Sequence, residues 1–442
     1  MKRTRANPDG VKECTRHIVP ANEPTIQELA AQNGCRSSEV LAGLCAELPQ
    51  SIHPVFNLEY LDVLGLTLSG EQRHGKAASA KPDLLFLLQE SNRNDFLLTR
   101  VFHEAGAPSV EAFLASTVVE RTLILERARQ RAIEAVKPAF RLASAILCSD
   151  NQLPFWHGIQ RAGKRAGQSG SPPEKIPTFI TKTDFTAEDK TITLDFLREL
   201  GKGIFISFCD TGRDFGLTEM AWDHDLDSYW GRRWLSEPRL PHDRRPCFAR
   251  VELSVHMYLL PLLRWREATV TQLRRMYLGL AITMLHELAH VAAGYAFRHS
   301  QNDTARCGDI YFRGGPVAEI GWSYETYAFG GGVEIPPIGL DPASLFDWPC
   351  PQTVQGYQNR GCCAPRGAVI PVVGSSGNVA VEAIDRFFRG GFWRAAWSDE
   401  LEMPFRLRRC CSVELYNKHG DTLTGQEDAE QRRLLKKRKL GP

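Results

Sequence analysis

Five residues constrain this chain more than any others: His286-Glu287-Leu288-Ala289-His290 reads H-E-x-x-H. On a helix, residues four apart share a face, so both imidazoles can reach one metal ion. The glutamate beside the first histidine stands where it can take a proton from a metal-activated water. The surrounding run, Thr271 to Ala296, is apolar on nearly all sides from Met276 onward, which predicts a helix inside a core. Thr269 and Gln272 have capping-box spacing at its start. The polar exceptions line up: Thr283, Glu287, His290 and Gly294 fall on one stripe, with His286 adjacent. A polar stripe on a buried helix is costly unless its groups are paired or bind metal.

A catalytic zinc usually takes three protein ligands. The extended motif with a third histidine is absent, since Ala293 and Ala296 hold the positions that would carry its glycine and histidine. Gly294 and His299 are out of register. Downstream, Gly314-Gly315-Pro316 breaks the chain, and VAEIGWSYETYAF then predicts a second helix closed by Gly330-Gly331-Gly332. Its two acids, Glu319 and Glu325, point about 120° apart at roughly 100° per residue, so one short helix should not aim both at one ion. Glu319, beside the small residues Ala318 and Gly321, is the expected third ligand. Glu325 is the alternative, or an acid that supports a ligand or binds substrate, and Asp309 is a lesser candidate. Two imidazoles and a carboxylate suit Zn2+. Tyr311, Tyr324 and Tyr327 are candidates for oxyanion or substrate contact, with His256 behind them.

HELAH on a buried helix, followed by an acid on a second helix, resembles a gluzincin-type zinc metallopeptidase. The set HELAHV, AEIGWSYETYAFGG and FFRGGFWRAAW, within Arg250 to Pro404, is more closely similar to fungal HExxH proteins of uncharacterised function. The resemblance implies a zinc-activated water, Glu287 as general base, Glu319 matching the E-x-G block, and a peptide or protein substrate. It departs from the pattern in its long gap from His290 to Glu319. The fold expected is α+β and predominantly helical. A zincin-like catalytic domain, with a small sheet beside the HExxH helix, follows a helical domain. Two other readings stay open: a metal-bound scaffold without catalysis that binds a partner, and a SprT-like nuclear protease.

Near-equal counts of basic and acidic residues, 54 and 52, argue against a dedicated nucleic-acid surface. The polar start lacks a signal-peptide core, and no uninterrupted apolar run is long enough to suggest a membrane span. The twelve cysteines include no C-x-x-C, so no zinc ribbon is expected and reduced thiols are the default. An intracellular location follows, cytoplasmic or nuclear. The basic run Arg432 to Leu440 could serve as a nuclear signal.

The expected organisation is a disordered start (1–22), a helical domain (23–162), a linker (163–176), the metallopeptidase domain (177–410) and a charged tail (411–442). Helices are expected at Thr25–Asn33, Ser38–Leu48, Pro82–Glu90, Asn94–His103 and Ser109 to about Leu147. KTITLDFLREL reads as strand or helix edge, GIFISFCD and FARVELS as strands, and HMYLLPLLRW as ambiguous. Residues 333–378 read as long loops, and IDRFFRGGFWRAAW as a core segment.

Overall fold

The computed structural model describes residues 22–63, 112–168, 178–220, 249–298, 310–336, 343–348, 374–398 and 403–416, with short gaps inside some stretches. The expected helices Pro82–Glu90 and Asn94–His103, the basic run Arg432 to Leu440, and both His299 and Asp309 lie outside the described residues.

The fold is α+β. Its helices are α1 (Ile26–Gln32), α2 (Ser37–Cys45), α3 (Val118–Leu147), α4 (Leu153–Gln168), α5 (Ala187–Gly201), α6 (Leu260–Leu263), α7 (Val270–Ala296), α8 (Ile320–Phe329), α9 (Val381–Asp385) and α10 (Gly390–Trp397). Its strands are β1 (Asp62–Val63), β2 (Thr178–Phe179), β3 (Ile204–Cys209), β4 (Gly216–Met220), β5 (Ala249–Ser254), β6 (Tyr311–Phe312), β7 (Gly332–Glu334), β8 (Ser344–Phe346), β9 (Gly374–Val379) and β10 (Arg409–Tyr416).

The central element is α7, which carries HELAH. Thr269 accepts a hydrogen bond from the Gln272 amide while the Gln272 side chain accepts from the Thr269 amide, closing the expected capping box. Such a cap contributes about 1 kcal/mol. Glu23 adds a second clamp, accepting from both the amide and hydroxyl of Thr271 at 3.1 Å. Most of the helix from Leu273 to Gly294 is buried. By length and composition α7 could cross a membrane, contrary to the expectation from runs of apolar residues, but 83% of its most apolar window is buried against protein.

Helices α3 and α4 pack directly on α7, and residues from Ile26 to Leu407 belong to one hydrophobic cluster. The described helices of segment 23–162 and the elements after it thus share a core. Residues 163–168, expected as linker, are the last turns of α4. Composition misleads here because Gly163 serves packing: a Cβ on it would lie 2.3 Å from the carbonyl oxygen of Ala296. Its missing side chain lets α4 press against the end of α7.

Two four-stranded sheets flank this helical core. The first has the order β1-β3-β5-β4, parallel except for β4, which runs antiparallel to β5 at the edge. The second has the order β10-β9-β8-β7 and is antiparallel throughout. Strand β8 and most of β7 and β9 arise from residues 333–378, expected as loops, because the glycines and prolines of this segment obscure short strands. Likewise 411–416, assigned to the charged tail, complete β10. KTITLDFLREL forms α5, capped by Thr186 and Asp189, whereas GIFISFCD and FARVELS form β3 and β5 as expected. The ambiguous HMYLLPLLRW becomes a π-helical turn, Val255–Leu259, leading into α6, with Pro261 in the first turn where its missing N–H costs nothing. Phe387, Phe388 and Trp393 are buried, so the aromatic segment near α10 seals the core.

Candidate metal centre

The stripe on α7 faces a cavity of about 680 Å³ lined by α7, β4, β7 and α8. His286 and His290 stand one turn apart on this face. Glu319 completes a group of three whose ligating atoms all lie within 4.8 Å of one another. The Nε2 atoms of His286 and His290 are 3.2 and 2.8 Å from the same Glu319 Oε1.

Glu319 reaches this position by a route different from the one expected. It is the N-cap of α8, not a helical residue, with extended φ −129° and ψ 105°. Its Oε2 accepts from the Trp322 amide at 2.6 Å, so one oxygen caps the helix while the other faces the histidines. The Ser323 hydroxyl donates to the Glu319 carbonyl at 2.7 Å and fixes the turn. Gly330, in the left-handed region at φ 90°, ends the helix as expected.

The departure of Glu319 from helical geometry removes the objection to two acids on one site. Glu325, inside α8, approaches the other nitrogen of His286, with Oε1 2.7 Å from Nδ1. Its Oε2 accepts from the Val333 amide on β7 at 2.7 Å. A carboxylate there holds a proton on Nδ1, so Nε2 is the nitrogen that would lose its proton and serve as ligand to an ion. Glu325 is therefore an orienting group. Gly321 permits the approach of α8: a Cβ on it would sit 2.3 Å from the His286 ring.

The donor set fits a divalent transition ion such as zinc, with two imidazole nitrogens and a carboxylate oxygen converging at the edge of a cavity. The electrostatics favour positive charge in the same place. Burial opposes a charged His286, yet the Glu319 charge and the hydrogen bonds to Glu319 and Glu325 push its pKa up to about 10. Burial likewise acts to raise the Glu319 pKa, but both histidines hold it well below the usual carboxylate range. Burial raises the Glu325 pKa despite the opposing bond to His286.

Glu287 faces the same cavity from the next position on α7. It is buried, and the Thr218 hydroxyl on β4 donates to its Oε2 at 2.7 Å. Gly216 makes that contact possible, since a Cβ there would lie 2.8 Å from Glu287 Oε1. The Ser254 amide donates to the Phe215 carbonyl at 3.0 Å, which sets the alternation of the β4–β5 ladder. The main-chain groups of Gly216 and Thr218 then point outward, where no described strand pairs with them.

The three candidate tyrosines are elsewhere. Tyr311 is buried on β6, paired with β2. Tyr324 is buried against Phe155 and Trp156, and Tyr327 donates to the Asn151 carbonyl at 2.9 Å. None lines the cavity: α8 turns Tyr324 and Tyr327 toward α4 to form core, and Tyr311 is held in the β2–β6 pair. His256 is exposed on the π turn and also does not line it. The phenol that does line it is Tyr258, with its hydroxyl 2.6 Å from that of Thr283. Sequence reasoning missed it, although a tyrosine in the apolar run directly after a strand was the available signal. No known family model, curated protein or solved structure matches the chain.

Proposed function

We propose that this protein is a zinc-dependent hydrolase of peptide or amide bonds. The observation that carries the reading is the meeting of His286, His290 and Glu319 beside Glu287 on the wall of one cavity. In this reading the two histidines and Glu319 hold the ion, and Glu325 orients His286 from behind. When bound, the ion supplies Lewis-acid polarisation of the scissile carbonyl and acidifies the attacking water. Glu287 takes the proton of that water and passes it to the leaving amine. Thr218 keeps the Glu287 carboxylate turned toward the cavity.

The outward main chain of Gly216 and Thr218 suits an extended peptide, which would add to the sheet as a further strand. Phe215, Leu217, Trp322, Val333 and Ile335 offer apolar surface for its side chains. An apolar HExxH helix beside a sheet whose antiparallel edge faces the glutamate supports a zincin-like unit, with Glu319 in the role a gluzincin gives its third ligand. A purely structural metal site has no need of a base, so the intact Glu287 favours an enzyme over a scaffold.

The test is hydrolysis of a peptide library by the zinc-loaded chain and by Glu287→Gln. We expect cleavage by the wild type, a loss of about 100-fold or more in the variant, and unchanged zinc content. Equal cleavage by both would refute the role of Glu287, and no cleavage by a fully zinc-loaded wild type would refute hydrolysis.

A further inference from the structure

The structure assigns the Tyr258–Thr283 hydroxyl pair as the donor that binds the substrate carbonyl oxygen as it gains charge. This rests on the hydrolase reading. Both residues line the cavity, and Thr283 stands one turn before Glu287 on the polar stripe of α7. Their oxygens are 2.6 Å apart, and neither has another hydrogen-bond partner among the described residues.

The argument is one of proton accounting. Two hydroxyls carry two protons, and one shared bond uses one of them. A helical threonine commonly donates to the carbonyl four residues back, which here would be Gly279, but Thr283 makes no such bond. Among the described residues the pair therefore keeps one donor without an acceptor. Buried polar hydrogens are rarely left unpaired in a finished structure, so an acceptor is expected from the cavity.

The surroundings decide which kind of acceptor. Tyr258 is 2% exposed, and its ring is held by the π turn that leaves β5. Its hydroxyl is thus set before any ligand arrives, as an oxyanion donor must be. The Thr218 hydroxyl, the nearest alternative on β4, is already committed to Glu287. Gly216 packs against both Thr283 and Glu287, since a Cβ there would be 2.9 Å from Thr283 Cγ2 and 2.8 Å from Glu287 Oε1. A peptide lying along β4 therefore passes over this donor and over Glu287 together. Phenol burial, reinforced by the nearby carboxylates of Glu325 and Glu287, keeps the hydroxyl protonated and able to donate.

The experiment is calorimetric titration of zinc-loaded wild type, Tyr258→Phe and Thr283→Val with a phosphinic dipeptide bearing leucine side chains, whose tetrahedral oxygens mimic the charged carbonyl. Acetohydroxamate, a small metal chelator, serves as the control ligand. We expect Tyr258→Phe to bind the phosphinate about 100-fold more weakly, with equal zinc content and equal acetohydroxamate affinity. Thr283→Val, which removes the partner that orients the phenol, should fall between the two. Equal phosphinate affinity in wild type and Tyr258→Phe, or no phosphinate binding by the zinc-loaded wild type, would overturn the assignment while leaving the metal site intact. A wild type that takes up no zinc would overturn the hydrolase reading beneath it.

Discussion

Among the described residues, two regions bury a histidine against a carboxylate, and they differ in what satisfies the acid. Between α4 and α5, His157 lies 3.4 Å from Asp189, and its other nitrogen meets the Thr193 hydroxyl at 3.2 Å. Asp189 is already served by Lys182 at 2.6 Å and by the Thr186 amide and hydroxyl, so it closes the α5 capping box with Thr186 and has its cation within the chain. On α7, Glu319 faces two imidazoles, and neither lysine nor arginine lines the cavity among the described residues. Burial lowers the pKa of His157 and outweighs Asp189, whereas the carboxylates around His286 overcome burial and raise its pKa. A buried histidine–carboxylate contact is therefore not itself a metal signature. What sets the α7 region apart is three donors whose ligating atoms lie within 4.8 Å of one another beside an open cavity with no lysine or arginine among its described lining residues.

The contrast can be broken by substitution. Glu319→Ala should lower zinc affinity by well over the roughly 100-fold that marks loss of an outer partner, whereas Asp189→Ala should leave it unchanged. Zinc titration against a competing chelator measures both, and equal affinities would erase the distinction between the regions. Glu325→Gln should lower zinc affinity by about 10- to 100-fold, because the amide no longer enforces a proton on Nδ1 of His286. A variant that binds zinc as well as the wild type would mean that packing alone holds that ring.

The stability effects are smaller. Asp189→Ala removes the N3 half of the α5 capping box, leaving Thr186 as N-cap, and should cost about 1 kcal/mol in denaturant unfolding. An undetectable change would show that Lys182 and Thr186 are not held by it. The smallest effect concerns pH. Because the folded state depresses the His157 pKa below its ordinary 6.5, the unfolded chain binds more protons as the solution is acidified. The stability contributed by neutral His157 is present above about pH 6.5 and is lost as pH falls toward its lower folded value. His157→Gln should flatten that slope, and an unaltered pH profile would contradict it.

How much of this was legible in the sequence depended on the distance over which each feature is determined. HELAH, the Thr269–Gln272 box and the burial of α7 are local, since helical spacing alone brings those residues together. Glu319 was legible as a candidate ligand, but its conformation was not. The helix begins at Ile320, three residues after Val317, where the proline and glycine signals placed its start, and this leaves Glu319 as the N-cap so that both acids reach His286. Gly321 and Gly216 read as ordinary small residues until α8 and β4 are seen pressed against His286 and Glu287. Tyr258 was hidden because a π turn has no common sequence pattern and its partner Thr283 is distant in the chain. Gly163 of α4 shows the opposite error, where linker composition concealed a tight helix contact.

The most direct test of the central claim is metal content by mass spectrometry on chelator-free protein, wild type beside His290→Ala. The account predicts close to one zinc per wild-type chain and almost none in the variant. A folded wild type that remains metal-free after zinc is supplied, or a variant that retains its zinc, would contradict it.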